Sequence, residues 1–178
     1  MKKLTCIVIA FTFIVGLATT FESCKKKEED VNLNESSGTG TIEYMGESYD
    51  IRYGLYEYYG EFEGIHNYQL YLFSDGVDME KETGSGNVLA IYFYGDMSPL
   101  QQGTIPYNGS NQIVPSFEAE AAMDYNLDTQ TGIHISAFSD GELTISSSSG
   151  NNYTIAFSLE QEDGKLVTGQ YSGKVTEF

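Results

Sequence analysis

From Thr41 onward, apolar and polar residues alternate one for one, and short turn signals cut the alternation at frequent intervals. A side-chain period of two belongs to an extended strand with one face buried, and no window carries the 3.6-residue period of an amphipathic helix. Residues 41–45, a turn at Gly46-Glu47 and residues 48–55 predict a hairpin. Tyr49, Ile51, Tyr53 and Leu55 share one face of it, Asp50 and Arg52 the other. Tyr68, Leu70 and Leu72 alternate with Tyr71 and Phe73, and Leu89, Ile91 and Phe93 with Val88, Ala90, Tyr92 and Tyr94. These two strands are apolar on both sides and are expected at the centre of a sheet. Phe117, Ala119, Ala121, Met123 and Tyr125 alternate with Glu118, Glu120, Ala122 and Asp124, a strand with one wet face. Residues 133–137 follow, with Asp140-Gly141 as a turn before residues 142–147. The last pair carries Tyr153, Ile155, Phe157 and Leu159, then a turn at residues 162–165, then Val167, Gly169, Tyr171, Gly173 and Val175, with the glycines making room for the Tyr171 ring.

Strands this close together leave no length for crossover helices, so parallel-sheet classes are excluded. The expected fold is a single antiparallel β-sandwich of about nine to ten strands over residues 39–178, with a lipocalin-like up-and-down β-barrel as the alternative. The hydrophobic content of 40%, with 13% aromatic, is enough for a folded core. Acidity narrows the partners. The chain has 26 Asp and Glu against 9 Lys and Arg, a formal charge of -17, and only Arg52, Lys81, Lys165 and Lys174 are cationic beyond residue 30. Nucleic-acid binding needs clustered cations to displace phosphate counterions and is excluded as an expectation. The same field opposes anionic headgroups, so attachment to a membrane has to come from the N-terminus.

There, Lys2 and Lys3 precede an uncharged stretch, residues 4–21, the pattern of a secretory signal. Ser23-Cys24 at its end resembles the lipobox of bacterial lipoproteins, and Lys25, Lys26 and Lys27 followed by Glu28, Glu29 and Asp30 resemble the export signal of surface lipoproteins of Bacteroidota. The domain is similar to small surface lipoproteins of that phylum in three segments: GTIEYMGESY from Gly40, SGNVLAIYF from Ser85 and DGKLVTGQYSG from Asp163. The resemblance implies removal of residues 1–23, lipidation of Cys24, a flexible charged tether over 24–38, and an outer-membrane address at the extracellular face. It carries no activity. Acyl chains on Cys24 would anchor the protein stably. Cys6 lies inside the leader, so residues 39–178 contain no cysteine and no disulfide is available to them.

Catalytic signatures are missing: there is no Gly-x-Ser-x-Gly, His-Glu-x-x-His or Cys-x-x-Cys, and His66 and His134 stand in no motif. The expected function is therefore non-catalytic binding, of a glycan or host polymer. The alternatives are a structural or adhesive protein-protein module and a lipocalin-like small-ligand carrier. Tyr56, Tyr58, Tyr59 and Phe62 crowd one segment whose charges are all acidic, and flat rings with polar tips suit sugars or a protein surface. No cofactor is expected other than calcium, for which Asp124, Asn126 and Asp128 have the alternating spacing of oxygen ligands in a loop. Asp75, Asp78, Glu80 and Glu82 form a second acidic cluster.

Overall fold

The computed structural model of the chain describes residues 37–62, 64–95, 100, 102–107 and 115–178. The leader, Cys24 and most of the tether lie outside the described residues. Eleven strands follow one another among those described: β1 (Ser37–Tyr44), β2 (Glu47–Phe62), β3 (Ile65–Phe73), β4 (Val77–Asp78), β5 (Thr83–Gly95), β6 (Gly103–Pro106), β7 (Ser116–Asn126), β8 (Thr131–Ile135), β9 (Phe138–Ser149), β10 (Asn152–Gln161) and β11 (Leu166–Glu177). The fold is all-β, and its sheet is antiparallel apart from a short parallel pairing of β11 with β2, Val175 opposite Gly54 through Glu177 opposite Tyr56. The two strands beyond the expected count are short, β4 with two residues and β6 with four.

The strands form one sheet in the order β6-β9-β10-β11-β1-β2-β3-β5-β7-β8, with β4 laid on β5. Most neighbours in the sheet are neighbours in the chain. Long-range joins shape the rest: the last strand pairs with the first, Tyr44 opposite Val167 through Gly38 opposite Gly173, its end continues onto β2, and β6 pairs with β9. Tyr107, just after β6, bridges to Phe117 of β7. The sheet thus curls until its two halves face each other across one core. That core draws on almost every strand, including Ile42, Ile51, Leu70, Leu89, Phe117, Leu143, Ile155, Phe157 and Tyr171.

Several local expectations are corrected. The β1–β2 turn is Met45-Gly46 rather than Gly46-Glu47: both residues have positive φ, 52° and 86°, and Tyr44 pairs with Glu47, the geometry of a type I′ turn. Tyr53 and Leu55 do not share a face with Ile51. Beside a bulge where the β1–β2 register slips between Ser37 and Gly40, the inward face moves to Gly54, against which Tyr171, Val175 and Leu72 pack. Leu55 instead joins Phe73 and Val77 in a second cluster, with Tyr53 and Tyr71 packed on it. Asp140-Gly141 is no turn. β9 runs straight through it, because Gly141 lets the Ser158 carbonyl come where a Cβ would be 2.7 Å away. The Tyr171 ring is housed by Gly38, Gly54 and Gly173, whereas Gly169 makes room for Phe157.

Candidate binding faces

Tyr171 is the one tyrosine fully inside the main core; Tyr44, Tyr49, Tyr56, Tyr68, Tyr107 and Tyr153 pack against that core while partly exposed, and Tyr53 and Tyr71 pack against the second cluster. Strand pairing divides the tyrosine-rich segment of β2 between two faces. The β2–β3 register slips between Tyr58 and Gly60: Tyr58 pairs with Tyr68, Gly60 pairs with Asn67, and Tyr59 is left over. A bulge of this kind re-aims a side chain.

Tyr56 and Tyr58 fall on the side of the main core. The Tyr58 ring lies 4.9 Å from Tyr68 and 5.7 Å from His66, and its hydroxyl meets His66 Nδ1 at 2.8 Å. The Tyr56 hydroxyl donates to Glu177 at 3.4 Å, and its pKa is raised first by burial and then by that carboxylate. Tyr58 keeps 43% of its surface exposed, at the rim of the core. Phe62 is described only by its place in β2, opposite Ile65.

Tyr59 belongs to the opposite, outward face, where it is 57% exposed. Its hydroxyl donates to Glu57 at 2.9 Å and accepts from Tyr71, so Glu57, Tyr59 and Tyr71 form a chain of hydrogen bonds. Cross-strand register then aligns Glu57, Gln69, Tyr92 and Glu118 as one row over β2, β3, β5 and β7. At the usual strand spacing the row is about 14 Å long. Gln69 hydrogen bonds to the Tyr92 oxygen, and the Tyr94 hydroxyl donates to Glu118. Ala90, next in the pattern between Tyr71 and Glu120, keeps the middle of this surface low. Burial raises the pKa values of Tyr71 and Tyr92, and pushes Tyr94 up to about 12 with help from Glu118. Glu118 is itself raised, by burial first; the Tyr94 hydrogen bond opposes this and the Glu120 charge adds to it. His134 Nε2 stands 3.5 Å from Glu120 at the far side.

Of the sequence candidates whose side chains are described, Tyr59 reaches this outward face. Tyr71, Tyr92, Tyr94, Gln69 and Glu118 were missed, because their meeting depends on strand register. The signal present in the sequence was that β3 and β5 are apolar on both sides, which left an aromatic surface outside the core.

The calcium candidates Asn126 and Asp128 take part in loop hydrogen bonds, and Asp124 in one through its backbone. Asn126 Oδ1 caps the backbone and hydroxyl of Thr129, and its Nδ2 donates to Ser85. Asp128 accepts from Gly84 N at 3.0 Å, which ties the two acidic loops together. Asp124 has φ of 47° and gives its N–H to Asn87. In the second cluster, Asp75 accepts from Tyr53, and Asp78 holds Lys81 at 2.7 Å. Among the described residues, no three acidic, histidine or cysteine side chains gather where a metal ion would need them. Compared with models of protein families, with curated proteins and with solved structures, the chain matches none.

Proposed function

We propose that the chain is a lipid-anchored protein of the outer membrane, displayed at the cell surface, whose β domain binds a glycan without transforming it. The observation that carries this reading is the outward row of Tyr59, Tyr71, Tyr92 and Tyr94 tied to Glu57, Gln69 and Glu118. Rings held by neighbouring hydrogen bonds lose little entropy on contact, offer flat apolar area to the C–H faces of a sugar, and stand beside acceptors for its hydroxyls. The described part of this surface carries rings, an amide and half-buried carboxylates in one open face, which suits binding. Lipidation at Cys24 rests on the Ser23-Cys24 resemblance. The full burial of Ile51, Leu70, Leu72, Ile91 and Tyr171 on the inner face supports binding at the outer surface over carriage in an interior.

The test is a glycan array probed with the full chain in neutral detergent, with calcium and again with chelator. Saturable binding that Tyr59→Ala and Tyr92→Ala both abolish supports the reading. Silence on the array, or binding indifferent to both changes, overturns it. A protein-binding module is the second reading, favoured by one observation: Met45 and Leu166, 72% and 49% exposed, flank the Tyr44–Val167 pair at one end of the sheet. Protease added to intact cells should remove an epitope near Phe178 if the domain is displayed.

A further inference from the structure

The geometry points to a second ligand site on the other half of the outer surface, a hollow centred on Arg52 that takes a carboxylated sugar. It rests on the glycan reading above and names the sugar class. The hollow has a volume of about 310 Å³ and is lined by Thr39, Gly40 and Thr41 of β1, Asp50, Ile51 and Arg52 of β2, and Gln170 of β11. Register sets Asp50, Thr41 and Gln170 side by side across the three strands. The bulge between Ser37 and Gly40 lies opposite Arg52, and an extra residue there bends the strand and opens the ladder beside it. A space of this size is at the small end of ligand sites and fits one or two sugar rings.

Two observations pick this hollow out. The first concerns charge. Lys81 and Lys165 are each paired with an aspartate, Asp78 and Asp163. Arg52, in a chain of net charge -17, pairs with no carboxylate among the described residues, although Asp50 lines the same hollow. The second concerns satisfaction. Among the described residues, no hydrogen bond or ion pair engages the side chains of Thr39, Thr41, Asp50, Arg52 or Gln170. Elsewhere on this surface hydroxyls pair across strands, Thr104 with Thr144 at 3.2 Å and Thr154 with Ser172 at 3.3 Å. Five polar side chains therefore converge on one hollow with their bonding capacity directed outward.

The chemistry of the set fits one class of ligand. A guanidinium presents a planar fork that matches a carboxylate with two parallel hydrogen bonds. The Asp50 carboxylate accepts from sugar hydroxyls, Gln170 donates and accepts, and the two threonines serve either role. A ring bearing one carboxylate and several hydroxyls uses all five. The protein's overall negative field is no bar, since at physiological salt charges more than about 8 Å away are largely screened.

The experiment compares trigalacturonic acid with its methyl ester, the same sugar without charge, binding to the full chain in neutral detergent by calorimetry. The acid is expected to bind about tenfold tighter than the ester, the worth of a charged hydrogen-bonded pair. Arg52→Gln should erase that difference, and Arg52→Lys should keep part of it. Arg52 is exposed, so its variants should melt with the parent, which separates loss of binding from loss of fold. Equal affinity for acid and ester, a preference that survives Arg52→Gln, or no binding of either sugar overturns the site. A preference lost in Tyr59→Ala but kept in Arg52→Gln also overturns it, and leaves the tyrosine face standing as the binding surface.

Discussion

Tyr171 is fully buried and its hydroxyl donates to the Lys174 carbonyl at 2.8 Å. A Cβ on Gly38 would lie 2.6 Å from the ring and 2.7 Å from the Ser172 carbonyl, so neither neighbour can yield cheaply. Gly38→Ala should cost about 1–3 kcal/mol, the range of an overpacked core, and Tyr171→Phe about 1 kcal/mol for the hydrogen bond, both read from urea denaturation. Glu118 offers a pH signature. Its pKa is raised in the folded state, by burial first. Such an acid lowers stability above its folded pKa; the deficit shrinks as pH falls through that value and is gone below the unfolded one. Glu118→Gln should therefore stabilise most at neutral pH, with the gain fading towards the ordinary glutamate range. Thermal melts across that interval check this, and a constant difference would count against it.

At the level of elements, the β1–β2 turn carries Met45 with φ of 52°, a left-handed conformation that asparagine tolerates far better than methionine. Met45→Asn should add about 0.5–1 kcal/mol, raising the melting temperature by about 1–4 °C for a domain of this size. Alternation within each strand was readable from the residues alone: Ile155, Phe157 and Leu159 of β10 point inward with exposed residues between them. What could not be read was anything decided between strands. Asp140-Gly141 has the composition of a turn, yet the approach of Ser158 uses its glycine for a close ladder. Tyr58 and Tyr59 look equivalent until β3 supplies a partner for one and skips the other. Asn126 and Asp128 have a metal-like spacing, and the fold adds loop hydrogen bonds to them from Thr129 and Gly84 that the spacing alone does not show. Arg52 reads in the sequence as one charge on a wet face; the polar groups beside it are set by the two neighbouring strands.

Across the whole molecule, a net charge of -17 is offset by few ion pairs among the described residues, so self-repulsion opposes the compact state. Adding salt from low to physiological strength should raise the melting temperature, in the opposite sense to a protein held by surface ion pairs. Alkaline titration should report the buried rings together. Tyr71, Tyr92 and Tyr171 are held above the usual value by burial, and Tyr94 is pushed to about 12. Stability from these groups is full below pH of about 10 and is lost as pH rises through the folded values. Phenolate absorbance should accordingly rise in two stages, the second coinciding with loss of the β-sheet signal in circular dichroism. The pairing of β1 with β2 on one side and β11 on the other also determines how the domain answers a mechanical load. A pull transmitted through the residues before Ser37 runs along β1, so both ladders must shear at once, many hydrogen bonds sharing the force. An edge strand would peel away one bond at a time. A domain tethered through that end would stay folded under drag that would unzip a sheet gripped by its rim.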